Sequence, residues 1–182
     1  MSVRYVNRIV KAAFVRAGVA AATTSVLVLA SASPSLARPV WDDSAVHVTH
    51  NVTPQPKVID LRVGAHRGFD RVVIDLDGKV PGYNVRYVRH LTHEGSGERV
   101  PLKGKKFIAI ALTPAKAHGA DGHNVYTGPE LQQYRQFDTL RGVAFTGDFE
   151  GVVSLGLSLR YRADFRVTVL HAPNRIVIDL KH

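Results

Sequence analysis

From Lys57 onward, apolar and polar residues alternate with a period of two, as in a half-buried β-strand. "KVIDLRVGAH" sets Val58, Asp60 and Arg62 against Ile59, Leu61 and Val63. "DRVVIDLDG" places Val72, Ile74 and Leu76 on one face, with Val73 and Asp75 on the other. "GYNVRYVRHLTH" aligns Tyr83, Val85, Tyr87, Arg89 and Leu91, and "KKFIAIALT", "GVAFTGDFEGVVSLGLSLRYR", "DFRVTVLHA" and "RIVIDLKH" continue the pattern. Asp-Gly, Pro-Gly, Gly-Ser-Gly, Gly-Asp and Ala-Pro-Asn punctuate these runs, as turns between short strands do. The pattern predicts an all-β sandwich or barrel. Only "GPELQQYRQFDTLRG" (128–142) has helical spacing, enough for one or two turns.

One run occurs twice. "RVVIDL" at 71–76 returns as "RIVIDL" at 175–180, each opening on arginine with aspartate fifth. The aliphatics supply a core-facing row, and the arginine and aspartate occupy the opposite, wetter face. Three arrangements fit. The two runs are matching inner strands of facing sheets, neighbours pairing Arg with Asp across a ladder, or independent strands of common strand residues. In each of them Ile74 and Ile178 are expected in the core.

The first 37 residues read as a secretory leader. Arg4, Arg8, Lys11 and Arg16 form a basic region, and "AGVAAATTSVLVLASASPSLA" (17–37) carries no charge. Small residues suit cleavage after Ala37 or after Ala32. The uncharged run is also long enough to span a bilayer if kept as an anchor. Its Ser, Thr and Pro content favours cleavage, leaving no span in the mature chain and placing the protein outside the cytoplasmic membrane, secreted or wall-associated. Residues 38–56, "RPVWDDSAVHVTHNVTPQP", have no sustained period and read as a flexible spacer. Trp41, the only tryptophan, is expected to pack back onto the domain.

Composition narrows the chemistry. The 182-residue chain is 45% hydrophobic and 21% charged, which is ordinary for a globular protein. Its formal charge is +9, but four of its 24 basic residues lie in the leader, so the remainder carries about +5. That favours anionic surroundings such as wall polymers, lipid headgroups or nucleic acid, beside the plainer alternative of a soluble basic protein with no dedicated anionic partner. There is no cysteine, which excludes disulfides, zinc thiolates and a thiol nucleophile.

The ending "FRVTVLHAPNRIVIDLKH" resembles the closing hallmark of AMIN domains: an aromatic-led strand, a turn with proline, then Arg before an aliphatic-Asp-aliphatic strand. "GFDRVVIDLDGKVPGYNVRYV" resembles the opening half of the same module. The stretch 57–182, with its "GDFEGVVSLGLSLR" segment, is similar to the AMIN-like domain of exported bacterial envelope proteins. The resemblance implies a β-sandwich of two small, roughly symmetric sheets. AMIN domains accompany cell-wall amidases and pilus secretins, where they bind peptidoglycan and place the attached machinery. No amidase or secretin domain follows in this sequence, so what such a module would place here is open.

Catalytic patterns are weak. His90 and His93 stand three apart on a strand, which sends them to opposite faces, and His118, His123 and Asp121 sit in a polar loop. There is no Gly-x-Ser-x-Gly elbow, and "GSGERV" reads as a hairpin tip. The glycines of "GVVSLGLSLR" precede no lysine or helix that would cradle phosphate. Asp148 and Glu150 read as turn residues. The expectation is a non-enzymatic module with no metal and no cofactor, binding peptidoglycan or another anionic wall polymer and not nucleic acid. The alternative is an interaction or scaffold module docking to a separate envelope enzyme or secretion machinery. Candidate ligand-binding residues on the non-core faces are Arg86, His90, Ser158, Arg160, Arg162 and Arg166, with Tyr83, Tyr87 and Tyr126 as stacking partners. Arg160 and Arg162 are expected to share one strand face.

Overall fold

The structure, a computed structural model, describes residues 40–182; the leader expected over 1–37 lies outside the described residues. Ten antiparallel strands build two facing sheets: β1 (Val46–Val48), β2 (Lys57–His66), β3 (Phe69–Asp77), β4 (Gly82–Val88), β5 (Lys106–Thr113), β6 (Leu131–Gln133), β7 (Leu140–Phe149), β8 (Val152–Leu159), β9 (Phe165–Leu170) and β10 (Arg175–Lys181). One sheet runs β2-β3-β10-β9 and the other β1-β4-β5-β8-β7-β6. The fold is all-β, as the alternation predicts. Among the described residues no helix is long and apolar enough to cross a membrane.

The doubled hexapeptide forms the centre of the four-stranded sheet. β3 and β10 are antiparallel neighbours in a register that sets Asp179 opposite Arg71 and Arg175 opposite Asp75. Reversing one copy against the other sets each arginine opposite the other's aspartate, but only Arg71 and Asp179 pair, because Asp75 is taken by Arg62 of β2 at 2.6 and 2.7 Å. The second of the three arrangements is the one observed. The Arg71 guanidinium donates to both Asp179 oxygens, at 2.7 and 3.0 Å, and Arg166 on β9 donates to Oδ2 at 2.8 Å. On the opposite face Val72, Ile74, Ile176 and Ile178 are fully buried. They meet Val85, Ile108, Ile110, Leu155 and Leu157 of the other sheet in one core.

Three local expectations are corrected. The first is the strict alternation through β2. A bulge between Val58 and Asp60 inserts Ile59, so Val58 and Leu61 both point inward. The second is the 128–142 segment, which holds β6 instead of a helical turn. Gln132 is paired with Val143, the Phe145 amide donates to the Glu130 carbonyl at 2.9 Å, and the Tyr134 amide donates to that of Arg141 at 2.7 Å. Leu131, Tyr134 and Phe137 mimic a helical spacing, but pairing with β7 satisfies their backbone and overrides local propensity.

The third is the spacer over 38–56, which is structured from Trp41 onward. Asp42 exchanges two backbone hydrogen bonds with Phe165 on β9, at 2.7 and 3.1 Å. β1 then pairs with β4, and Val46 and Val48 pack on the core. This strap ties the edge of one sheet to the edge of the other. Trp41 packs back as expected, with its ring 4.4 Å from the Arg166 guanidinium and 6.0 Å from Phe69. The symmetry expected of the two sheets holds for four strands facing four. β1 and β6, the two short edge strands of the larger sheet, come from the segments read as spacer and helix.

Candidate functional site

The long connection between β4 and β5 does not leave the molecule. It lies across the outer face of the six-stranded sheet, where Leu91, Val100 and Leu102 form a second small core with Ala144. The β8 run "SLGLS" makes this possible. Its inward residues Leu155 and Leu157 belong to the main core, while Ser154, Gly156 and Ser158 give the outer face little height. A Cβ on Gly156 would stand 2.5 Å from Leu91 Cδ1, so the glycine is the seat of that leucine. The tip of the connection, as the sequence predicts, is a small hairpin closed by a Thr92–Arg99 bridge.

Where this segment leaves the sheet uncovered, a cavity of about 180 Å³ opens. Its base is apolar and small, from Ala109 and Ala111 on the outward side of β5. Its rim is polar and of mixed charge, with Asn84 and Arg86 from β4, His90 and Glu94 from the connection, and Ser154 from β8. Glu94 is held in place, because Ser154 Oγ donates to its Oε1 at 3.0 Å and its amide donates to the Thr146 carbonyl at 3.0 Å. Asn84 Oδ1 is buried without a hydrogen-bond partner, an uncompensated acceptor in the cavity wall. The volume is below that of sites for whole small ligands and matches one sugar-sized group of a longer polymer. A base of methyl groups suits a C–H face or an acetyl group. The amide, guanidinium and carboxylate suit hydroxyls and amides.

The nine residues predicted to bind ligand separate on folding. Arg86 and His90 line this cavity together and are exposed. Ser158 is on the outer face, as expected, but it is fully buried, with Gly104 of the connection packed against it. Tyr83 and Tyr126 are corrected, since both are buried in the main core. Tyr126 tilts onto Phe145 at 4.7 Å, and burial pushes its hydroxyl pKa well up. Tyr87 is half-buried, and its hydroxyl accepts from the Ala163 amide and donates to the Ala163 carbonyl. Arg162 stacks 4.2 Å over the Tyr87 ring and pairs with Asp43 of the strap. Arg166 is engaged by Asp179 and Trp41. Arg160 is exposed in the bend after β8, and Arg162 lies beyond that bend, so the two do not share a strand face.

Sequence reasoning missed Asn84, Glu94 and Ser154. Two of them were within reach, because Asn84 alternates with Arg86 and Ser154 with Ser158. Glu94 becomes a site residue only because its connection folds back.

His118 and Asp148 come together as well, with Nδ1 2.6 Å from Oδ2, which also accepts the Ala117 amide at 2.8 Å. The open cavity beside them is lined by Ala117, His118, Gly122, Asn124, Phe145 and Asp148, which include no hydroxyl, thiol or amine nucleophile. Among the described residues no three His, Cys, Asp or Glu side chains converge as a metal site.

A small two-sheet antiparallel sandwich with one outer face partly covered defines a compact β-sandwich module. The AMIN-like domain model matches residues 56–182, and the chain belongs to that family. No curated protein and no solved structure matches it.

Proposed function

We propose that this protein is an exported, non-catalytic component of the bacterial envelope whose AMIN-like domain binds peptidoglycan, seating one unit of the polymer in the cavity beside the β4–β5 connection. The observation that carries the reading is the cavity itself, a methyl-lined base under a rim of Arg86, Glu94, His90 and Asn84. Peptidoglycan offers matching groups: N-acetyl methyls and sugar C–H faces for the base, and hydroxyls, amides, carboxylates and amines for the rim. Family membership and the leader-like residues 1–37 support the same assignment.

Cosedimentation with purified sacculi tests it. Binding through the cavity persists at about 0.5 M salt, where attraction from net charge alone is screened within several ångströms. Arg86→Ala is expected to weaken binding about tenfold or more, the range for losing a hydrogen bond to a charged group. Its melting temperature should stay near that of the wild type, because the side chain is exposed. Wild-type protein that stays in solution at high salt would overturn the proposal and favour docking to a separate envelope protein.

A further inference from the structure

A second cavity, of about 500 Å³, lies where three connections meet. Thr49, His50, Asn51 and Val52 come from the chain between β1 and β2, Lys79 and Val80 from the β3–β4 turn, and His171 and Asn174 from the β9–β10 turn. No acid lines it, while Lys79 brings a positive charge and His50 and His171 bring two imidazoles, from three separate elements. We propose that this cavity binds a phosphate ester, through Lys79, His50 and His171 with Thr49 and Asn51 as neutral donors. It is separate from the peptidoglycan cavity and independent of that reading.

The hydrogen bonds fix how His171 takes part. Asn174 Nδ2 donates to the Gly78 carbonyl at 2.7 Å, which sets the orientation of that amide. Its Oδ1 therefore faces His171 Nδ1, at 2.8 Å, and can only accept. His171 must carry a proton on Nδ1. In the neutral ring Nε2 then holds a lone pair that repels an anion, and in the protonated ring it becomes a charged donor. Arg175, the first residue of β10, donates from Nε to the Pro173 carbonyl, and Asp77, the last residue of β3, is paired with Lys57 at 2.9 Å. Protonation of the His171 ring thus strengthens its hold on an anion of fixed charge.

Phosphate fits this set better than carboxylate. Donors carried on three separate connections can meet three peripheral oxygens, where a carboxylate offers two. The volume exceeds that of the phosphate group and leaves room for the alcohol it esterifies.

The probes are sulfate, which keeps its charge between pH 5 and 8, and glycerol 3-phosphate, titrated into the protein while histidine ring resonances are followed by NMR. Saturable shifts of the His50 and His171 rings are expected with both probes at pH 5.5, with sulfate affinity about tenfold or more weaker at pH 8. Lys79→Ala should weaken sulfate binding at both pH values. His171→Gln should remove much of the pH dependence while leaving the melting temperature near that of the wild type. Vesicles containing phosphatidylglycerol, compared with soluble glycerol 3-phosphate, tell a lipid-borne ester from a free one, and binding of either supports the site. No saturable shift at pH 5.5, or both variants binding as the wild type does, would overturn it.

Discussion

Asp179→Ala is expected to destabilise the domain by about 3 kcal/mol at neutral pH, the low end of the range for removing one partner of a buried ion pair. The side chain is 2% exposed and accepts three charge-assisted hydrogen bonds from Arg71 and Arg166. Its loss leaves two guanidinia facing each other beneath Trp41 and Phe69. Both are partly exposed and can recover some water, which keeps the cost from the top of the range. Burial raises the pKa of Asp179, but the two arginines outweigh that effect and hold it below the ordinary 3.8. A carboxylate lowered on folding stabilises fully above its unfolded value and loses that contribution as pH falls through its folded value. The gap between wild type and variant should therefore be complete at pH 7 and narrow below about pH 4. Urea denaturation at both pH values measures it. An unchanged midpoint at pH 7, or a gap of equal size at pH 2, would show that the pairing carries no stability.

Ile74→Ala and Ile178→Ala are each expected to cost about 2–5 kcal/mol. Both side chains are fully buried, on adjacent strands of the four-stranded sheet and facing the same core. The spread reflects how far neighbours such as Ile176 and Val72 can close on the void. Thermal melts of the two variants read it directly, and a wild-type midpoint for either would mean its inward row is not the core row.

Those two isoleucines mark what could be read in the sequence. Period-two alternation says which residues share a face, so β3, β4, β5 and β10 were legible from pattern alone, along with the inward placement of Ile74 and Ile178. Alternation cannot say what lies over a face. Ser158 alternates as an outward residue and is buried because the β4–β5 connection crosses it. Tyr83 and Tyr126 have polar tips that suit a surface, yet their rings fill the core. The bulge at Ile59 is a single extra residue with no glycine or proline to announce it. β1 and β6, three residues each, are too short for any period to show and exist because a neighbouring edge accepts them. The cavity was half legible, through Arg86 and His90 on one strand and its exit, and half hidden in a connection whose path only tertiary packing decides.

The pairing of β3 with β10 also sets the order in which the chain can become a protein. Arg71 and Asp179 are 108 positions apart, and β10 sits between β3 and β9 in its sheet. Until residues 175–181 have been synthesised, the β2–β3 hairpin and β9 lack their common neighbour, and one wall of the core has no middle. Closing so long a loop is slow compared with local contacts. In a growing chain of this topology the four-stranded sheet can therefore close only after residues 175–181 have joined β3 to β9.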